Sequence, residues 1–167
     1  MTDDTTNEQL LEVSTPLNGD AQMRAYGASD DVPEFDDPAF TPLSRPLSEA
    51  RVAIVTSAAL HRFDQEGFSP SDTGFRTLDR ADRNIIMGHW SPNFDHTGFQ
   101  LDHNVVFPID RLEELVADGV IGDVAPQHFA FAGNQPATVS ELRLDSGPAC
   151  AELMLAAGVD VVVLTPV

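Results

Sequence analysis

Two histidines placed just after predicted strands are the residues of this sequence best suited to proton transfer. His61 follows the β-branched run 52–56, and His128 follows the predicted strand 120–125. In open α/β sheets, ligands and catalytic groups lie beyond the carboxyl ends of the strands. The ordinary pKa of imidazole suits acid–base chemistry near neutral pH. We therefore expect His61 and His128 to project from loops toward a common crevice as supporting acid–base groups.

A second set of polar residues falls between positions 89 and 103. It consists of three histidines at intervals of seven and two aspartates, namely His89, His96, His103, Asp95 and Asp102. Such imidazoles and carboxylates are ligands for zinc, iron or manganese. Pro92 and Gly98 argue against a helical seam, and a loop does not constrain ligand geometry as a helical motif does. We favour a polar loop without a metal and keep the three-histidine site as the alternative.

Asp110 and Arg111 lie at the start of a predicted helix over 108–119. A structural interpretation has Asp110 capping the first turn and Arg111 pairing with a nearby glutamate. A functional one has the planar guanidinium of Arg111 clamping a substrate carboxylate. Only one of two neighbours can face the sheet edge. We favour structure for the pair, and Arg111 stays a candidate substrate-binding residue.

Cys150 is the only cysteine, so the chain has no internal disulfide and no cysteine zinc site. It lies among small apolar residues inside a predicted helix, not at a strand end. This setting is typical of a buried hydrophobic residue more than of a reactive thiol.

The elements that position these residues alternate along the chain. Aliphatic runs predict strands over 52–56, 84–88, 120–125 and 159–164. Helical patterns cover 108–119 and a stretch that begins at Thr138 or Ser140 and ends at 157, which Gly147 and Pro148 could split in two. This alternation predicts an α/β fold: an open, mainly parallel sheet with flanking helices, resembling half of a Rossmann fold.

Charge divides the chain into two parts. The sequence has 27 acidic residues, nine arginines and no lysine, for a formal charge of −18. Half of that charge lies in the first 50 residues, together with five prolines. We predict that 1–47 is an acidic, disordered or surface-wrapping segment and that 48–167 is the folded domain.

The composition also excludes several classes of partner. A strongly acidic surface repels nucleic acids and anionic membranes. No window reaches the roughly 20 apolar residues of a membrane helix, and the N-terminus lacks the regions of a signal peptide. We therefore expect a cytoplasmic protein.

Several motifs identify a family resemblance. They occupy 52–61, the segment Asn-Val-Val-Phe-Pro-Ile-Asp-Arg-Leu at 104–112, and the segments 119–122, 125–128 and 158–166. From residue 51 onward the chain resembles the selenoprotein B component of the glycine, sarcosine, betaine and D-proline reductases. The acidic head is not covered by the resemblance.

The resemblance implies an oxidoreductase with particular partners. A selenol or thiol would reductively cleave a C–N bond of a small amino-acid-like substrate, with a pyruvoyl-bearing partner subunit and a dithiol reductant protein. His61 and His128 each match a histidine of the family. Asp95, Asp102 and Asn104 also match its pattern, which implies substrate positioning or structural capping over metal binding, whereas His96 and His103 are peculiar to this chain.

In the resembled family the redox-active selenocysteine or cysteine directly follows the strand that here ends in Leu-Thr-Pro. Selenocysteine is encoded by UGA, so we expect an in-frame UGA after codon 167 and a truncated chain that is inactive as written; the codons beyond 167 test this. A truncated sheet would leave an apolar face uncovered, which predicts an oligomeric or poorly soluble chain. The alternative is a complete, non-catalytic α/β binding or assembly module.

Overall fold

The computed structural model describes residues 21, 24–25, 41–89, 96–133, 135 and 140–167. Thr41–Val167 forms one compact unit and Met1–Phe40 another. Most of the segment 1–47 therefore lies outside the described residues, and its disorder stays a prediction. Residues 41–47 belong to the compact unit, and Arg45 pairs with Asp160 at 3.2 Å.

A mixed open sheet forms the centre of the compact unit. Strand β1 (Arg51–Thr56) runs parallel to β5 (Asp123–Val124) and β6 (Gln127–Phe131) along one edge and to β7 (Val161–Thr165) along the other. Strand β3 (Phe75–Asp79) is antiparallel to β6. The open, mainly parallel sheet is thus confirmed. The strand expected over 120–125 is reduced to two residues.

Strands β2 (Leu60–Arg62) and β4 (Ile85–Met87) form a separate antiparallel pair. The predicted strand at 84–88 therefore exists but does not belong to the main sheet. Residue 61 is part of a strand and not of the loop that the sequence pattern predicted.

In the described part of the compact unit, three α-helices accompany the sheet: α1 (His96–Leu101), α2 (Ile109–Ala117) and α3 (Gly147–Ala156). The region 96–105, predicted as a loop, contains α1 and a 3-10 turn at His103–Val105, and Gly98 does not interrupt α1. The predicted split before Pro148 is a π-helical turn, Leu142–Ser146, that leads into α3. Gly119 and Gly158 follow α2 and α3 with φ of +71° and +69°, in the left-handed region that glycine adopts without strain.

Helices cover both faces of the sheet. On one face, Ile54 of β1 packs in a buried cluster with Ile109 and Leu112 of α2. On the other, Phe129 and Phe131 of β6 pack against Cys150 of α3. This arrangement gives the sheet two hydrophobic layers. Within the described part of the chain no helix is long and apolar enough to span a bilayer.

Candidate functional site

A groove of about 590 Å³ opens at the carboxyl ends of three strands. Its floor comes from the ends of β1 and β6, and its walls come from β7 on one side and from α3 with the preceding π turn on the other. The described lining residues are uncharged: Val55, Thr56, Ser57, Phe131, Ala132, Gly133, Gln135, Leu142, Gly147, Cys150, Met154, Val162, Leu164, Thr165, Pro166 and Val167. The position matches that of ligand sites in open α/β sheets, and the volume lies in the range typical of small-molecule sites.

Hydroxyl groups at the strand ends are used in holding those ends together. The backbone N–H of Val167 donates to Ser57 Oγ at 2.9 Å. Thr165 Oγ1 donates to the carbonyl of Val106 at 2.9 Å, and Thr56 Oγ1 accepts from Ala58 N–H at 3.2 Å. These bonds fix the mouth of the groove, whose surface is otherwise mainly apolar.

His89 is the histidine that approaches the groove most directly. A Cβ atom placed on Gly133 would lie 2.4 Å from His89 Nε2 and 3.0 Å from the carbonyl oxygen of Ser57. The imidazole therefore occupies the space that a side chain at Gly133 would need, beside two lining residues. Only 8% of His89 is exposed. Burial lowers its pKa, and the charge of His96 adds to this effect, so the ring is neutral at pH 7.

The sequence analysis placed His89 in the alternative metal site and missed it as an acid–base candidate. A usable signal was present, because His89 directly follows the predicted strand 84–88. The rule that selected His61 and His128 would also have selected it.

His61 is buried in β2, which pairs with β4, and it is not among the residues that line the groove. Its Nδ1 lies 3.2 Å from the carbonyl oxygen of Ala59, and Phe68 contacts its ring edge-on. A Cβ on Gly88 would lie 3.3 Å from its Cε1. The structure thus brings His61 beside the residue that precedes His89. Whether His61 takes part in catalysis stays a prediction.

His128 lies inside the sheet and not in a loop. It is fully buried in β6, and its Nδ1 accepts a hydrogen bond from Ile54 N–H at 3.0 Å. Nε2 therefore carries the proton, and it has no hydrogen-bond partner among the residues that the structure describes. Burial lowers the pKa of His128 to about 4. The two histidines predicted to share a crevice are thus in different surroundings.

The predicted substrate-binding residues Asp102 and Asn104 form the cap that precedes α2. Asp102 Oδ1 accepts from the backbone N–H and the side-chain amide of Asn104 at 2.9 and 2.8 Å. Asn104 Oδ1 accepts from Asp110 N–H at 3.0 Å, and its amide donates to Asp110 Oδ2 at 3.0 Å. The bonds from Asn104 hold the pKa of both carboxyl groups below their usual value. This geometry gives Asn104 the capping role that the sequence analysis assigned to Asp110.

Arg111 lies on the surface, where its guanidinium pairs with Glu114 at 2.9 Å. Both side chains are 58% exposed. This is the structural alternative that the sequence analysis favoured, and neither residue lines the groove. Asp95, the remaining substrate-binding candidate, lies outside the described residues.

The histidines of the alternative metal site do not converge in the part of the chain that the structure describes, where no group of three or more His, Cys, Asp or Glu side chains could hold a metal ion. His103 Nε2 lies 3.2 Å from Asp110 Oδ2, at ion-pair distance but without hydrogen-bond geometry. His103 thus belongs to the surroundings of the cap.

Cys150 does not have the properties of a nucleophile. It lines the groove from α3 but is only 2% exposed. Burial raises the pKa of its thiol to about 11, so the thiolate is scarce at neutral pH. Because it is the only cysteine, residues 1–167 offer no activated thiol.

A groove beyond the carboxyl ends of parallel strands, with a buried neutral imidazole at its edge, is an arrangement typical of ligand-binding α/β domains. The family model of the glycine/sarcosine/betaine reductase selenoprotein B matches residues 21–167. The chain therefore belongs to this family.

Curated relatives agree with the family. D-proline reductase subunit gamma of Acetoanaerobium sticklandii is 30% identical over 137 residues, covering 80% of this chain and 55% of that protein. Glycine reductase complex component B subunit gamma of Carboxydothermus hydrogenoformans is 28% identical over 144 residues, 80% of this chain and 32% of that protein. Sarcosine reductase complex component B subunit beta of Peptoclostridium acidaminophilum is 26% identical over 159 residues, 89% of this chain and 34% of that protein.

The chain thus spans about half the length of the first relative and about a third of the other two. No solved structure matches it.

Proposed function

We propose that this chain is part of a reductase subunit that cleaves a C–N bond of a small amino-acid-like substrate at the groove. The observation that carries the proposal is the family match over 21–167, together with a groove at the strand ends where such folds bind ligands. The relatives are subunits of D-proline, glycine and sarcosine reductases, which makes an amino acid or its N-methyl derivative the first substrate to test.

In this proposal the nucleophile is a selenol or thiol supplied from outside residues 1–167. Cys150 is buried and protonated, so it does not take that role. A selenol ionises more readily than a thiol and is the stronger nucleophile at neutral pH. A dithiol reductant supplies the two electrons, and a pyruvoyl-bearing subunit assists with the substrate amine. His89 is the nearest described acid–base group, and the supporting roles of His61 and His128 stay predictions.

The test is a reductase assay on the protein as the native gene encodes it, with its sister subunits. We expect dithiol-dependent cleavage of the C–N bond in one of D-proline, glycine, sarcosine or betaine, with ammonia or an amine released from an acyclic substrate and a ring-opened amino acid formed from D-proline, and we expect selenium or a second cysteine in the purified protein. Absence of turnover with all four substrates, in a preparation whose subunits co-purify, would remove the reductase proposal.

One observation favours a second candidate, a non-catalytic binding or assembly module. Residues 1–167 contain a single cysteine, and it is buried. A complex that keeps full reductase activity after this chain is removed would support that candidate.

A further inference from the structure

A substrate carboxylate would find no oppositely charged side chain among the described residues that line this groove. The chain carries a formal charge of −18, and the described lining residues include no cation. A carboxylate that leaves water for such a site needs a positive partner. Because the chain has no lysine, an arginine or a group on another subunit is the source of a permanent positive charge.

Almost all arginines of the compact unit are already paired. Of the eight arginines in 41–167, seven lie within 4.0 Å of a carboxylate oxygen. The pairs are Arg45–Asp160, Arg51–Asp123, Arg62–Asp64, Arg76–Asp72, Arg80–Glu113, Arg83–Asp110 and Arg111–Glu114. The eighth, Arg143, has no carboxylate partner among the residues that the structure describes.

Arg143 is also the arginine whose chain neighbours line the groove. It lies in the π-helical turn, between Leu142 and Gly147 of the lining. Leu142 directly precedes Arg143 and Gly147 follows it by four residues, and both of these neighbours line the groove. Arg143 is exposed and is not itself among the lining residues. Its position in the chain thus places a cation beside the wall that Leu142 and Gly147 form.

We propose that Arg143 binds the carboxylate of a small substrate whose uncharged, apolar body lies in the groove. This inference rests on the proposed function for the identity of the ligand as a substrate. It replaces Arg111, the carboxylate clamp considered from sequence, with a residue that is unpaired and beside the groove. The planar guanidinium is suited to bind both carboxylate oxygens.

Binding to the full 167-residue chain tests the proposal without requiring turnover. The probes are cyclopentanecarboxylate and its neutral analogue cyclopentanecarboxamide, titrated by ligand-detected NMR at constant ionic strength. We expect the wild type to bind the carboxylate about tenfold more tightly than the amide, since hydrogen bonds to charged groups exceed neutral ones by about this factor. Arg143→Gln should remove the preference and leave amide binding unchanged. Arg143→Lys should keep part of it.

Arg111→Gln is the matched control, because Arg111 is also an exposed arginine on a helix of this unit but pairs with Glu114. It should behave as the wild type. A preference that survives in Arg143→Gln, or that disappears in Arg111→Gln, would overturn the proposal, as would failure of the wild type to bind either probe. Thermal unfolding of each variant separates lost binding from lost folding. Failure of the reductase assay with an intact carboxylate preference would reject the proposed function alone.

Discussion

At the scale of single residues, His128 accepts a hydrogen bond from β1 that a backbone carbonyl of a neighbouring strand normally accepts. The pairing of β1 with β5 matches Arg51 to Asp123, whereas its pairing with β6 matches Val55 to Phe129. The difference between the numbers of the paired residues therefore grows by two, from 72 in the pairing with β5 to 74 in the pairing with β6. In the gap, the N–H of Ile54 finds its acceptor in His128 Nδ1. A buried amide without an acceptor would be costly, so the neutral imidazole stabilises the sheet.

This bond predicts a pH-dependent stability. The pKa of His128 is lowered from 6.5 to about 4 by burial, so the unfolded chain binds the proton more readily. The contribution is full above pH 6.5 and is lost as pH falls from 6.5 toward 4, by up to about 3 kcal/mol. His128→Gln should weaken the decline of unfolding free energy over this range, measured by urea denaturation at several pH values.

The acidic residues also titrate in this range, so the comparison is between wild type and variant. Leu144→Gln serves as control, because Leu144 is exposed and carries no titratable group, and it should keep the wild-type slope. Equal slopes in wild type and His128→Gln would show that His128 does not titrate as proposed.

Gly133 and His89 predict a coupled pair of substitutions. In Gly133→Ala the new methyl group would overlap His89 Nε2 and press on the Ser57 carbonyl. Overpacking of this kind costs about 1–3 kcal/mol. His89→Ala should relieve part of that cost, so the double variant should be more stable than the sum of the single effects implies. Thermal denaturation of all four proteins in the cycle measures the coupling, and strict additivity would contradict the contact.

At the scale of elements, the start of α2 depends on a cap that lies outside the helix. Pro108 at the N-cap position provides no side-chain hydrogen bond. Asn104 provides it from six residues before Asp110, with Asp102 holding the amide in place. Asp110 also pairs with Arg83 at 2.9 Å. The cap thus joins α2 to the turn before it and to the segment that follows β3.

Asn104→Ala should lower the free energy of unfolding by about 1 kcal/mol, the usual effect of losing a cap. Because the amide is occupied by this cap, we expect substrate KM in the whole enzyme to stay near the wild-type value. Chemical denaturation and steady-state kinetics check the two statements, with Arg111→Gln as a surface control. A large rise in KM with unchanged stability would instead support the substrate-positioning role implied by the family pattern.

The sequence predicted those elements whose apolar residues form a continuous run or recur at helix spacing. β1 and β7 are aliphatic runs and α2 has apolar residues at helix spacing, and all three were predicted, whereas β6 was not. The strand β3 was missed because Arg76 and Thr77 break its apolar pattern; it forms by pairing along the whole of β6. The short strand β2 was missed because it forms by pairing with β4, and a tertiary contact of this kind is not visible in the local sequence.

Within the site, sequence reasoning located the strand ends correctly but not the side chains. His128 was expected in a loop because the strand 120–125 was drawn too long. Its actual place in β6 depends on the change of offset between β5 and β6, which no local pattern reveals. The wall formed by Met154 and Cys150 could not be predicted either, because it depends on how α3 packs on the sheet.

At the scale of the whole molecule, the net charge opposes self-association and the exposed apolar side chains favour it. A charge of −18 favours separate molecules in low salt. Large apolar side chains are exposed on the π turn, α3 and β7, with Leu144, Leu155 and Leu164 at 76%, 73% and 70%. Large apolar side chains exposed in this way are typical of interaction surfaces.

We expect the chain to self-associate, more strongly at high salt, because salt screens the charge repulsion at separations beyond a Debye length of about 8–10 Å. Replacing Leu155 and Leu164 together by Asp should give a monomer at all salt concentrations. Sedimentation velocity at low and high salt measures this, and Leu10→Asp with Leu11→Asp, in the acidic segment, is the control. A wild type that remains monomeric at high salt would contradict the prediction.

Between its pairings with β5 and with β6, strand β1 is offset by two additional residues, and this number is even. Side chains of a strand alternate between faces, so an insertion of two residues leaves every later side chain on its original face, whereas a shift of one exchanges the faces. Phe129 and Phe131 keep their contacts with Cys150 because the insertion is even. A change of this junction by two residues should therefore preserve the packing on both faces of β6. A single deletion at Pro126 would turn both phenylalanines toward α2 and bring His128 to the groove side.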